Sequence, residues 1–224
     1  MSFGSPGGLR HMSKLRFHIS ISLDGYVAGP HQSVENPLGE GGEALHEWVI
    51  ELELFRAAHG MQGGTVNAST PILEEELANV GAEIMGRGKF GPPAGGPWGA
   101  DPWRGWWGDD PPFHKPVFVL THHPREPLTL SDTTFTFVTD GIESALEQAT
   151  QAARGKDVIL GGGADVINQY LAAGLVDELE LHVAPVLLGG GARLFEDVDP
   201  GVRLEQLRAI DASGVSHLKY RVGK

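Results

Sequence analysis

Residues 15 to 22 read LRFHISIS, apolar and polar positions in near alternation, and that two-residue period predicts a strand with one buried face. LDGYVAG follows as a turn and a return. From 42 to 59 the period changes: Leu45, Trp48, Val49, Leu52 and Phe55 fall on one face of a helix. Residues 71 to 80 predict a second short helix, with Ser69 or Thr70 as N-cap and Pro71 at its first position. AEIMGR (82–87), PVFVLT (116–121), TFTFV (134–138) and DVIL (157–160) read as strands. IESALEQATQAA (142–153) and ADVINQYLAAG (164–174) read as helices, the second closed by Gly174. DELELHVAPVLL (177–188) is a strand interrupted by Pro185, and residues 203 to 222 form a hairpin around Ser213-Gly214. Strands alternating with helices, then strands alone, predict an α/β sandwich whose mostly parallel sheet is antiparallel at one edge.

Between these elements, residues 91 to 114 have no period and are rich in Gly, Pro and Trp. Long irregular segments inside compact domains are often functional. Trp98, Trp103, Trp106 and Trp107 could wall a pocket and stack on a flat ring, or form a packing or dimer patch; the pocket wall is the favoured reading.

Composition narrows the chemistry. The 224 residues are 41% hydrophobic, enough for a sizeable core, and contain no cysteine. Disulfides, thiol catalysis and Cys-based zinc sites are therefore excluded. The longest apolar stretches are a few residues, so neither a membrane span nor a signal-peptide core is expected, and a cytoplasmic location fits. Residues 1 to 12, MSFGSPGGLRHM, read as an expression leader ahead of a start near Met12, with one domain over 13–224. The net charge of −12 argues against a nucleic-acid partner. An anionic ligand must then be held by local basic residues, which makes their positions informative.

Three strand ends stand out: GRGKF (86–90), THHPR (121–125) and GGGAD (161–165). Open α/β sheets bind ligands beyond the carboxyl ends of their strands. Two of the three are basic, and the third opens a helix whose first N–H groups are free. Singly, each also reads as an ordinary turn, and His122 and His123 as surface histidines. Together they describe a dinucleotide, its pyrophosphate at the glycines and a further phosphate at the basic loops. No P-loop lysine follows the glycines, and Val166 stands where a Rossmann fingerprint needs its third glycine. His-His-Pro hints at a metal, but no third ligand has suitable spacing, so none is expected. A second glycine run, LLGGGARLF (187–195), has no helix after it and reads as a tight turn or bulge.

ISISLDGYVAG, EIMGRGKF, PVFVLTHHP, VILGGGADVINQYLAAGLVDELELHVAPVLLGGGARLF and the final hairpin, in this order, resemble the dihydrofolate reductase fold. They are most similar to the reductase domain of riboflavin-biosynthesis deaminase-reductases, over about residues 14 to 222. The resemblance implies a three-layer sandwich with a mixed, mostly parallel sheet and a C-terminal β-hairpin. It implies NADPH as hydride donor. Gly86, Arg87 and Lys89 would meet the adenosine phosphates. Thr121 and His122 would flank the adenine ribose and its 2′-phosphate, with Arg125 a possible helper. Gly161, Gly162, Gly163, Ala164, Asp165 and Val166 would pack against the pyrophosphate, with a cis peptide between Gly161 and Gly162. The backbone around Ser20 and Val27 would hold the nicotinamide carboxamide, and a homodimer is expected.

On the substrate side, Asp24 is the carboxylate nearest the expected nicotinamide and the candidate catalytic residue, though Asp-Gly is also an ordinary turn pair. Dihydrofolate reductases carry a buried carboxylate on the first helix. Here that helix offers Glu43, Glu47 and Glu51, with Leu45 nearer the expected place. The partner deaminase of the riboflavin enzymes needs cysteine ligands, so this chain would be a free-standing reductase of a pterin or a phosphoribosylamino-pyrimidine. A reductase of an unrelated carbonyl or imine, and a nucleotide-binding module without chemistry, are the alternatives.

Overall fold

In the computed structural model, residues 13–92 and 95–223 are described, and the expected leader at 1–12 lies outside them. Eleven strands and six α-helices follow in chain order: β1 Leu15–Ser22, β2 Tyr26–Ala28, α1 Glu47–Ile50, α2 Glu53–Ala58, α3 Thr70–Leu77, β3 Val80–Gly86, α4 Arg87–Phe90, β4 Pro116–Leu120, β5 Leu128–Leu130, β6 Thr133–Val138, α5 Ile142–Ala153, β7 Asp157–Gly162, α6 Ala164–Ala172, β8 Glu178–Ala184, β9 Ala192–Arg193, β10 Arg203–Ala212 and β11 Val215–Gly223. Nine strands form one sheet in the order β10-β11-β8-β1-β7-β3-β4-β6-β5. The run from β8 to β6 is parallel, and β11, β10 and β5 are antiparallel at the two edges. This is the mixed, mostly parallel sheet with a C-terminal hairpin that the strand pattern predicts.

The alternation along β1 sorts the two faces. Leu15, Phe17 and Ile21 enter a core with Ile84, Phe118, Leu160 and the inner sides of α5 and α6, where Ala145, Ala149, Ile167 and Tyr170 are buried. Arg16, His18 and Ser20 point to the other face. The parallel register sets Arg16, His18 and Ser20 beside Glu178, Glu180 and His182 of β8, and the antiparallel register adds Arg221, Lys219 and His217 of β11. One face of three adjacent strands is therefore polar, and α3 lies over it. Glu75 of α3 pairs with Arg208 and Lys219, and Arg208 also holds Glu180.

A second core on that face is built by the Gly/Pro/Trp segment. Met85, Val117, Val119, Phe135 and Phe137 are covered by Phe90 and Phe113, with Trp98, Trp103 and Trp107 packed around them. The indole N–H groups of Trp98, Trp103 and Trp106 donate to the carbonyls of His123, Phe90 and Lys89, each at 2.9 Å.

The helix expected over 42–59 is not continuous. It is a 3₁₀ turn at Gly42–His46, then α1, then α2, broken at Leu52. Leu52 is extended and bridges Thr65, whose N–H bonds Glu51 O at 2.8 Å. The break keeps Leu52 fully buried against Trp48, Val49 and Leu73. The apolar face is real; tertiary packing decides where the helix stops.

Candidate functional site

A cavity of about 1140 Å³ runs along this second face, over the carboxyl ends of the parallel strands. Of the expected site residues, Ser20, Val27, Gly86, Arg87, Lys89, Thr121, His122, Gly161, Gly162, Gly163, Ala164, Asp165 and Val166 all line it. Arg125 and Asp24 are not among its lining residues.

The glycine turn is a close-packed corner. A Cβ on Gly161 would sit 2.0 Å from Glu83 Oε1 and 2.8 Å from Lys89 Nζ. A Cβ on Gly86 would sit 2.8 Å from Val166 Cγ2, so glycine there lets the first turn of α6 approach β3. The cis peptide lies at Gly162–Gly163, one residue beyond its expected place. The reason is register: β7 continues to Gly162, which still pairs with Met85, before the chain turns into α6. Gly163 then caps α6 without any side-chain hydrogen bond. Its first-turn N–H groups face the cavity as an anion-binding end.

Lys89 braces this corner rather than standing free. Its ammonium donates to Gly161 O at 2.7 Å and meets Glu83 Oε1 at 3.3 Å. Arg87 is different. Its guanidinium lies 3.6 Å from the centre of the Trp98 ring, and the Arg125 guanidinium lies 4.8 Å from the same ring. Arg87 Nε and Nη1 are buried and make no hydrogen bond. Among the described residues, neither arginine has a carboxylate within ion-pair distance. Burial, and then the neighbouring Arg125, pull Arg87 below the ordinary guanidinium range. Arg125 spends one donor on Trp103 O, so the unpartnered donors are those of Arg87, a cation suited to an anionic group. Thr121 is buried beside them, its Oγ1 accepting from His123 N at 3.2 Å, and His122 is exposed at the rim.

Asp24 is a structural tie. Its carboxylate accepts from Ser22 Oγ at 2.6 Å, Gly189 N at 2.6 Å and Leu188 N at 3.1 Å. These bonds, led by that from Ser22, hold it at about 2, so it carries no proton near neutral pH. The same contacts tie the second glycine run, which bends at 189–191, to the turn between β1 and β2.

The opposite end of the cavity holds groups that the strand pattern concealed. Ser20 Oγ accepts from the indole of Trp48 at 3.0 Å. Beyond it, Glu76 of α3 points between two histidines, 3.1 Å from His18 Nδ1 and 2.9 Å from His182 Nε2. His182 Nδ1 lies 2.8 Å from His217 Nδ1, and His217 Nε2 lies 2.9 Å from Ser69 Oγ. Burial raises the Glu76 carboxyl above its ordinary value, opposed by His18. Burial lowers His18, His182 and His217 to about 4. The carboxylates that line the cavity are Glu76, Glu83 and Asp165, and none of Glu43, Glu47 or Glu51 does. The available signal was three histidines, each inside an alternating strand, where a polar residue reads as solvent-facing.

Comparisons with known proteins fit this geometry. Residues 13–215 match the RibD C-terminal domain family. The uncharacterized protein YyaP of Bacillus subtilis (strain 168) is 32% identical over 120 residues, 50% of this chain and 62% of that protein, so the match spans less than two thirds of that relative. A structure described as "Putative riboflavin biosynthesis protein" from Shewanella sp. PV-4 superposes with a TM-score of 0.61 at 20% identity, covering 94% of this chain and 99% of that one. Dihydrofolate reductase from Enterococcus faecalis, in complex with NADP(H), superposes with a TM-score of 0.51 at 13% identity, covering 96% and 98%. These likenesses show that the fold is that of the dihydrofolate reductases.

Proposed function

The chain belongs to the RibD C-terminal domain family, and on that premise we propose that it is an NADPH-dependent reductase of a flat nitrogen heterocycle, a pterin or a phosphoribosylamino-pyrimidine. The observation that carries the reading is Arg87, stacked on Trp98 beside Arg125 and without a carboxylate partner among the described residues, in one cavity with the uncapped start of α6. A cation and a helix start in one cavity suit a dinucleotide with an extra phosphate. The Arg87 guanidinium would take the 2′-phosphate, beside Thr121 and His122. The N–H groups of Ala164, Asp165 and Val166 would take the pyrophosphate. The backbone of Ser20 and Val27 would hold the nicotinamide amide.

When bound, NADPH supplies a hydride; the chain supplies position, dryness and a proton environment. Trp48, Trp106 and Trp107 line the cavity. The heterocycle would lie toward His18, Glu76 and His182. Protonation of the substrate belongs to that polar end, since Asp24 is outside the cavity. The same reading includes a homodimer and a cytoplasmic location; sedimentation velocity tests the first.

The test is NADPH consumption, followed by absorbance, with dihydrofolate and with phosphoribosylamino-uracil substrates. Turnover of either supports the proposal. Tight NADPH binding without turnover of both would identify a nucleotide-binding module instead.

A further inference from the structure

The three groups at the polar end of the cavity meet in an arrangement that hydrogen bonding does not explain. Glu76 Oε1 and Oε2 lie 2.9 and 3.1 Å from histidine nitrogens, yet both oxygens and His182 Nε2 are buried without a hydrogen bond of acceptable angle. His182 Nδ1 is engaged with His217 Nδ1, and His217 Nε2 with Ser69 Oγ. With the proton on Nδ1 of His182, donated to His217, and the proton on Nε2 of His217, donated to Ser69, the relay is complete. His182 Nε2 then carries a bare lone pair close to the Glu76 carboxylate but not directed at it, as the ligand atoms around one ion are. Two lone pairs at that distance in a buried site repel unless a cation or a proton lies between them.

Ligand geometry favours a cation. One donor atom from each of His18, Glu76 and His182 lies within 4.8 Å of the others. Ligands at about 2.0–2.2 Å from one ion are roughly 3–4 Å apart, close to the separations found here. A ligating histidine whose other nitrogen is fixed by a buried partner is the usual supporting arrangement. All three residues line the cavity, which leaves the remaining coordination positions open to water or to a substrate oxygen.

We propose that His18 Nδ1, Glu76 and His182 Nε2 form a mononuclear site for a divalent first-row transition metal of the zinc class, with His217 and Ser69 as positioning residues. Two imidazoles and a carboxylate suit such ions better than calcium or magnesium, which prefer oxygen donors. The expectation of no metal came from spacing along the chain; these ligands come from β1, α3 and β8, which no local spacing reveals. The proposal is independent of NADPH, because it concerns the other end of the cavity.

The experiment is titration of the chelator-treated full chain with Zn²⁺ by calorimetry, and with Co²⁺ by visible absorption. One equivalent should bind, and Co²⁺ should give the absorption of a four- or five-coordinate site with nitrogen donors. Glu76→Gln and His18→Gln should each weaken binding roughly tenfold or more, and His217→Gln by about 10–100-fold. His18 is the least buried of the three ligands, so His18→Gln serves if Glu76→Gln does not fold; circular dichroism checks both. His114→Ala, which removes the exposed Asp110–His114–Asp132 group, should leave binding unchanged. No stoichiometric binding, or binding lost in His114→Ala but kept in His18→Gln, would overturn the proposal and assign a shared proton to the cluster.

Discussion

Single atoms decide most of what this cavity can do. Gly161 cannot carry a side chain without displacing Glu83 and Lys89. Gly161→Ala should therefore destabilise the fold by about 1–3 kcal/mol, read from a urea midpoint, and should weaken NADPH by moving the turn. A full-strength cofactor interaction in that variant would mean the Glu83–Lys89 brace has no bearing on the site. Asp24→Ala should lower the melting temperature by freeing Leu188 and Gly189, and should leave hydride transfer measurable. Loss of turnover with unchanged melting would restore Asp24 to the chemistry. At this scale the sequence was legible where backbone demanded glycine, as at Gly86 and Gly161. It was not legible for Lys89, whose ammonium is used inside the fold, or for His18 and His182. Their neighbours in sequence face the opposite side of the sheet, and nothing local marks that α3 covers them.

Among the elements, the Trp-bearing segment carries most of the difference between pattern and structure. The aromatic residues were visible in the sequence, but the absence of any period left two readings open. The structure contains both. Trp103 packs on the second core and Trp106 and Trp107 line the cavity, while Trp98 presents its ring to Arg87 and Arg125. Trp98→Ala should weaken NADPH by releasing both guanidiniums, an effect of about 5–30-fold if each cation–π contact is worth ~0.5–1 kcal/mol and the arginines lose their shared position. Isothermal titration would show it; an unchanged constant would assign Trp98 to packing alone. Phe135 is fully buried within this layer. Phe135→Ala should cost about 3–5 kcal/mol in chemical denaturation. The strand β1 and the helix α5 were readable to the residue. The helix over 42–59 was not, because its break at Leu52 serves a contact with Thr65.

Across the whole molecule, an acidic chain of net charge −12 sets into the wall of one cavity an arginine, Arg87, that has no carboxylate partner among the described residues. Among the described residues, no helix is long and apolar enough to cross a membrane. The buried histidines couple the fold to pH. His182 and His217 stay neutral in the folded chain down to about 4, whereas in the unfolded chain they bind protons from about 6.5. Between those values the unfolded state holds more protons, so stability falls as pH falls from about 6.5 to about 4. The limit is on the order of 3 kcal/mol for each histidine. Glu76 works in the opposite direction, since its raised carboxyl takes up a proton first in the folded state, and it offsets part of the loss. Urea midpoints at neutral and mildly acidic pH should show the decline, and His217→Gln should reduce it. A flat profile would mean that the cluster is protonated in the fold.

The central claim is that Arg87, beside Arg125, receives the phosphate that distinguishes NADPH from NADH. Dissociation constants for both cofactors, in the natural sequence and in Arg87→Ala, test it most directly. The account predicts a preference for NADPH that falls by roughly 10–100-fold in Arg87→Ala, the weight of charged hydrogen bonds, with NADH little changed. Equal weakening of the two cofactors would place Arg87 at the pyrophosphate and contradict the assignment.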